Sequence, residues 1–544
     1  MKTNKFLLLI LMSALAINFY SCTDLDTFPE SGTITSDQKK DIAEAMPERL
    51  AADISGMYSI LGAQYAVFGS ESARHDDFGY PAVCMSWDAN GPDFVTDESN
   101  YNWFSTCSAY EDRTYNYANP LMRWRLFYMQ MKLANDVLAS IPVDTDLEVL
   151  KHYMGQAYAI RAFDYLNLAP YFQFKYKGNE QEPSIPIVTW DMTGDLSSIP
   201  RATQKEVYEL IMDDLDNAIE LLDGFTRTSK GQIDQQIAYG LRARANLYME
   251  NWAAAAADAE MALTGYQPYS RDDVSEPTFV YSDDPNWMWA LVIDPANVPG
   301  ALATWPSKMG SFTGNGYSTG AACFKMVNKL LWNMIPATDV RKGWWVDENL
   351  ESPNLANVTW GAYTGNDIPT SGVDGTAKWL PYTNLKFGQY GGPGSTTNAN
   401  DWPMMRAEEM YLILAEAKGM INEADGKTIL QDFVSTYRDP DYDVNANGLT
   451  FRNEVWFQRR VELWGEGFAM ADIMRLGKPV VRFSSTKPSN FPGIFEFNLL
   501  ASDPWLLNRI PQAEMNSNAG IVQNEGGTLP VSGQNPTITD GVTD

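Results

Sequence analysis

Histidine is the scarcest chemically useful residue in this chain. Only His75 and His152 occur among 544 residues, and they alone titrate near neutrality without help from their surroundings. A serine nucleophile activated by histidine would have to use one of them. Neither stands in an HExxH helix, and no two cysteines are spaced CxxC, so the common zinc signatures are absent. His152 falls in a helical pattern and reads as a packed or surface residue. His75, in Ala73-Arg74-His75-Asp76-Asp77, reads as a solvated loop residue. Two further groupings bear on chemistry. Glu462 and Glu466 are four apart and share one helix face, the arrangement a general acid and base would need. The simpler reading is a partly buried charge network with Arg459 and Arg460. Asp443, Asn445, Asn447 and Glu454 occupy positions 1, 3, 5 and 12 of an EF-hand loop, with Gly448 at its turn. Calcium is one reading of that spacing. The favoured one is a turn followed by an N-cap at Thr450, because Asn445 and Asn447 carry no charge and Pro440 interrupts the entering helix. No cofactor is otherwise required.

The elements that must position such residues are mostly helices. Trp124, Phe127, Tyr128, Met131, Ala134 and Leu138 form one stripe over 122–141. Gly155, Tyr158, Ala162 and Tyr165 repeat at helical spacing over 151–168. A third helix opens at Thr203 with Glu206 three residues on, a capping box, and Gly224 ends it. Its buried face is Val207, Leu210, Ile211, Leu215, Ala218 and Leu222. Within 236–264, Ala245, Tyr248, Ala257 and Met261 stand at the small and large positions of a tetratricopeptide-like hairpin, with Trp252 near its turn. No fixed 34-residue period links this hairpin to the other helices, so the repeats are degenerate. Residues 265–400 change character: Gly, Pro, Asn, Thr and Trp dominate, and the helical period fades. A loop-rich lobe of that length inside a helical protein is usually functional. Helical pattern returns over 404–420 and 450–476, and 528–544 reads as extended.

Composition excludes some functions. The chain carries 40 Lys+Arg against 69 Asp+Glu, a net charge of −29, so nucleic acid is an unsuitable partner. Lys2 and Lys5 precede an uncharged apolar run from Phe6 to Ile17, too short to span a bilayer and suited to a secretory signal peptide. Ser21-Cys22 follows, and this junction resembles the lipobox of bacterial lipoproteins, although Phe19 stands where Leu is usual. The resemblance implies acylation at Cys22 and anchoring by the lipid. The acidic start that follows, Thr23-Asp24-Leu25-Asp26, accompanies surface export in Bacteroidetes lipoproteins. Three cysteines remain: Cys84, Cys107 and Cys323. The first two could pair in an exported protein, or all three could be buried thiols.

Phe457-Gln458-Arg459-Arg460-Val461-Glu462-Leu463-Trp464-Gly465-Glu466-Gly467, followed by Asp472-Ile473-Met474-Arg475, closely resembles the C-terminal signature of the SusD/RagB family. Met405-Arg406-Ala407-Glu408-Glu409-Met410-Tyr411-Leu412 resembles its preceding helix, and Arg509-Ile510-Pro511-Gln512-Ala513-Glu514-Met515-Asn516 its closing motif. The resemblance implies a mainly α fold of tetratricopeptide-like helical hairpins with a loop-rich ligand-binding lobe. It divides the chain into a signal peptide (1–21), a lipidated tether (22–35), a helical region (36–264), the loop-rich lobe (265–400) and the signature region (401–544). It implies a non-catalytic outer-membrane lipoprotein facing outward, partnered by a SusC-like TonB-dependent transporter and by a glycan. Capture of peptides and surface glycoside hydrolysis are the alternative readings; the hydrolase requires two carboxylates set apart in an aromatic cleft.

A sugar ring needs flat aromatics for its faces and polar side chains for its hydroxyls. Two segments supply both. Asp77, Trp87, Asn90 and Trp103 are the candidates of the first, which runs from Asp76 to Trp103 and also holds Tyr80, Asp88 and Tyr101. Trp287, Trp289 and Trp305 are those of the second, which continues through Asn315 to Tyr317.

Overall fold

Helices form where the apolar stripe has a period of 3.6. A computed structural model describes residues 36–99, 101–192, 196–298 and 302–544. The signal peptide, Cys22 and the tether at 22–35 lie outside the described residues. The expected helices are α2 (Ala118–Ala139), α3 (Glu148–Phe172) and α4 (Gln204–Leu221). The hairpin is α5 (Gln235–Tyr248) and α6 (Trp252–Ala262), joined by three residues. Each of these packs on the next along the chain, and α6 then packs on α9 (Ala407–Ile421), which carries the series into the C-terminal region. The Thr203 capping box is present: its side chain accepts from Glu206 N–H while Glu206 accepts from Thr203 N–H. The expectation of a mainly α fold built from helical hairpins holds.

The details depart from expectation in four places. In α6 the buried residues are Ala255, Ala256, Asp258, Ala259 and Ala262, whereas Ala257 is exposed and Met261 is 48% exposed. A run of alanines has no amphipathic face to read. The buried side is set by Asp258, which accepts from Arg242 and Asn246 of α5. A fifteen-residue helix, α10 (Glu423–Tyr437), follows α9 after a single residue and was not expected. The stretch read as 450–476 is two helices, α11 (Phe451–Glu462) and α12 (Ala469–Leu476). The break falls at Gly465 and Gly467, with φ of 80° and 90°, which only glycine adopts cheaply. Thr450 sits at the N-cap of α11 with extended backbone, but its side chain makes no cap hydrogen bond.

The fourth departure concerns the candidate binding segments. Tyr80–Asn90 is a helix, α1, and all eleven of its residues are buried. Trp287–Leu291 is a strand, β2, buried throughout. The strand is apolar on both faces, and the helix buries even its Ser86, Asp88 and Asn90, so neither element has a solvent face. β2 pairs antiparallel with β4 (Trp402–Arg406). A second ladder joins β1 (Phe94–Val95) to β3 (Met326–Val327) antiparallel, which holds the chain that follows Val95 beside the chain that precedes Met326. The largest apolar cluster draws residues from Ala43 to Val542, while the loop-rich lobe adds a cluster of its own around Phe312, Trp360 and Trp379. Cys84, Cys107 and Cys323 are all buried free thiols, so no Cys84–Cys107 bridge exists.

Candidate functional site

Most of the sequence candidates are structural. Trp87, Trp287, Trp289 and Trp305 are each at most 2% exposed. Trp87 stacks on Tyr171 with ring centroids 3.9 Å apart. Trp289 donates its indole N–H to Gly231 O, and Trp305 donates to Asn400 O. None offers an open face, so as candidates for stacking on a ligand these four are set aside by their burial. Asn90 is wholly buried and bonds Cys107 O, Asp112, Arg113 and Arg123. Asp77 is 2% exposed and accepts from the N–H groups of Val67 and Phe68. It therefore shapes the 65–69 turn rather than meeting a ligand.

Of the candidate tryptophans, Trp103 alone is partly exposed, and it lies within a cluster. His75 lies 5.5 Å from Trp103, ring to ring, tilted by 32°. His75 Nδ1 shares a 2.7 Å hydrogen bond with the Tyr317 hydroxyl. Tyr317 stands 6.4 Å from Trp103 at 73°, so the two rings form a corner. Tyr65 flanks His75 at 6.5 Å, and Tyr101, 62% exposed, flanks Tyr317 at 6.4 Å. The Arg74 guanidinium lies 5.5 Å from the Trp103 ring while pairing with Asp76 through two bonds. His75, read from sequence as a solvated loop residue, is thus a half-buried member of an aromatic platform. Burial lowers its pKa, nearby Lys308 adds to that, and Asp76 opposes it.

Local structure explains how two distant segments meet. The backbone N–H of Tyr65 donates to Asp77 O, and Tyr65 takes a left-handed φ of 58°. Asn102 donates to Asp97 O and accepts from Phe104 N–H, which sets the turn carrying Trp103. Tyr317 opens a short helix, α8 (Tyr317–Gly320), after Gly316. A Cβ on Gly316 would stand 2.8 Å from Ser307 O, so only glycine lets these strands of chain approach. That approach brings Lys308, on helix α7 (Trp305–Met309), under Tyr317. Tyr317 and Tyr101 lay within the segments marked from sequence; Tyr65 and Lys308 carried no signal there.

The carboxylate pair is no acid–base dyad. Glu462 and Glu466 are at most 4% exposed. Glu462 accepts from Arg341, Arg406 and Arg438, and Glu466 from Arg406 and Lys386. Burial opposes their ionisation, but the surrounding cations outweigh it and hold both carboxyls below the usual range. The network is fully buried, and Arg459 and Arg460 serve elsewhere, on Asp472 and on Asp93 with Asp540. In the EF-hand-like segment, Glu454 is 1% exposed and accepts from Tyr442, Asn447 and Gln458. Asp443 accepts from Asn445 N–H in a plain turn. The position-twelve carboxylate is therefore spent on protein donors, and among the described residues no group of three His, Cys, Asp or Glu could hold a metal. His152 packs against Phe225 at 5.1 Å. No helix among the described residues is long and apolar enough to cross a membrane.

Two family models match the chain. Residues 60–247 match one described as starch-binding and associating with the outer membrane, and residues 342–526 match that of the SusD family. Among solved structures, a SusD-like carbohydrate binding protein from Bacteroides vulgatus is 22% identical with a TM-score of 0.69, over 87% of this chain and 97% of that one. A SusD superfamily protein from Bacteroides thetaiotaomicron is 18% identical with a TM-score of 0.64, over 88% and 99%. A laminarin binding SusD-like protein is 18% identical with a TM-score of 0.60, over 88% and 99%. The comparison with curated proteins returned no match.

Proposed function

The chain belongs to the SusD/RagB family, and from that premise we propose that it captures an oligosaccharide or polysaccharide on the Trp103–Tyr317–His75 platform. The corner formed by Trp103 and Tyr317 carries this reading. Two rings at 73° give one surface for a sugar face and a second for its neighbour, and Tyr101 extends the surface outward. The Arg74 and His75 side chains, both partly exposed, lie beside the rings and suit hydroxyl recognition. The proposed protein is a non-catalytic, lipid-anchored receptor at the outer face of the outer membrane. It hands its ligand to a SusC-like TonB-dependent transporter. Asp76 and Asp77, the acids nearest the platform in sequence, are buried and committed to Arg74 and to the 67–68 backbone, which favours binding over hydrolysis.

The test is a panel of neutral and acidic polysaccharides on affinity gels, with wild type beside Trp103→Ala and Tyr317→Ala. One polysaccharide retards the wild type, is not degraded, and loses its hold on both variants. Retardation that survives both substitutions removes the platform from the reading. Labelling with palmitate, beside Cys22→Ala, tests the anchor.

A further inference from the structure

Lys308 is the least expected residue beneath the platform. Its Nζ lies 3.5 Å from the centroid of Tyr317 and 5.1 Å from that of Trp103. The residue is 1% exposed, and among the described residues its amine has no hydrogen-bond partner. Buried lysines are rare unless paired, and unpaired ones collect at functional sites. By residue type, three basic side chains and two acidic ones surround it, with the Cys323 thiol also close by. Lys325 is also buried, close enough to oppose the charge of Lys308, and donates to Cys323 O. The Arg74 guanidinium lies 5.5 Å from the Trp103 centroid, and His75 is bonded to Tyr317. Against these stand Asp76, already engaged by Arg74, and Asp97, which accepts from Ser99. A chain of net charge −29 thus places a basic group of residues at one aromatic surface.

Resting on the glycan-binding reading above, we propose that the platform selects an anionic saccharide and that Lys308 reads the ligand's charge through the two rings. A cation behind an aromatic ring draws down the electron density that the ring presents in front. Once Lys308 is protonated, the ring therefore accommodates a carboxylate or sulfate on the ligand better than it does with the neutral amine behind it. Burial pushes the Lys308 amine down to about 6; Lys325 adds to this and Asp76 opposes it. The amine is therefore mostly neutral at pH 7. An anionic group docked in front of the rings stabilises the ammonium form, so ligand binding takes up a proton. The sign follows: affinity for an anionic ligand rises as pH falls from 8 to 6. It gains up to about tenfold per pH unit, the limit for one linked proton. A neutral glycan gains nothing by this route.

The experiment uses the full chain and the same panel: laminarin, starch and xylan as neutral members, polygalacturonate, alginate and carrageenan as acidic ones. Calorimetry then follows the best binder between pH 8 and 6 in buffers of different ionisation enthalpy. The expected result is an acidic ligand, an affinity that rises on acidification, and uptake of a proton. Lys308→Met abolishes the pH slope and the proton uptake, and it leaves the melting temperature equal or higher, since it removes a buried unpartnered amine. Binding of uronates alone assigns the carboxylate as the ligand group; binding of carrageenan as well assigns charge alone. A neutral glycan as the best binder overturns the inference and leaves the glycan-binding reading standing. An unchanged pH slope in Lys308→Met also overturns it. Binding by no member removes both readings.

Discussion

Trp87 and Trp103 come from one short stretch of chain, and their surroundings give opposite expectations for the same substitution. Trp87 lies between Tyr171 and Phe127 in the core. Trp87→Ala is expected to cost about 3–5 kcal/mol of stability, read from denaturant unfolding. Trp103→Ala is expected to cost no more than about 1 kcal/mol while abolishing ligand binding, because its side chain is only partly buried. A fall in binding by Trp87→Ala at temperatures where it stays folded would contradict this division. Asp164 makes a second residue-scale prediction. Both its carboxylate oxygens are buried without a hydrogen-bond partner among the described residues, and burial raises its pKa well above the ordinary value. A carboxyl that stays neutral in the fold but ionises near pH 4 when unfolded loses stability as pH rises. Asp164→Asn should therefore match wild type near pH 4 and be the more stable at pH 7. The gap should open by at most about 1.4 kcal/mol per pH unit. A gap that is constant with pH would show that Asp164 ionises in the fold.

At the scale of elements, two positions fix geometry that side chains then use. Gly316 has extended backbone, so its role is space and not φ: Ser307 fills the room a Cβ would need. Gly316→Ala is expected to part α8 from α7, move Tyr317 off Lys308 and weaken ligand binding at least tenfold with a small change in melting temperature. Equal affinity in this variant would show that the corner of rings is not the binding surface. The Thr203 box is a simpler case. It is solvent-exposed and reciprocal, and Thr203→Ala should cost about 1 kcal/mol in chemical unfolding. Helix α1 was legible only in part. Its apolar run Tyr80–Met85 announces a buried element, but Trp87 followed by Asp88 and Asn90 reads equally as a sugar site when its neighbours are unknown.

Over the whole molecule, buried ion pairs tie distant segments together. Glu462 on α11 joins Arg341 of the loop-rich lobe to Arg406 and Arg438. Arg460 joins Asp93 to Asp540 near the end of the chain. Removing one partner strands the other charges in the core, so Glu462→Gln is expected to cost about 3–5 kcal/mol. Because the main apolar cluster also runs through all three regions, scanning calorimetry should record one transition rather than separate ones for the helical region and the lobe. Acid sensitivity follows from the same network. Glu416, Glu462, Glu466 and Asp472 are buried, which opposes ionisation, yet their arginine and lysine partners hold them below the ordinary range. Their contribution is present above the unfolded values near pH 4 and is lost as pH falls through the lower folded values. Melting temperature should fall steeply below about pH 4, and less steeply in Glu462→Gln.

The sequence by itself determined the helical class, the capping box and the family, because periodicity, caps and signature motifs are local in the chain. It also determined that no histidine-based zinc motif was present. Which aromatics face solvent was decided only by tertiary structure. Trp87, Trp287, Trp289 and Trp305 differ from Trp103 in what packs over them, and those partners, Tyr171, Gly231 and Asn400 among them, lie far away in sequence. The charge pairs of Glu462 and Glu466 were misassigned to adjacent arginines for the same reason: a helix face shows which residues are neighbours on it, and not which cations arrive from Arg341, Lys386 and Arg438. Lys308 under Tyr317 is the extreme case. A lysine in a short loop-rich segment has no sequence mark of burial, and only the close approach at Gly316 places it behind the rings.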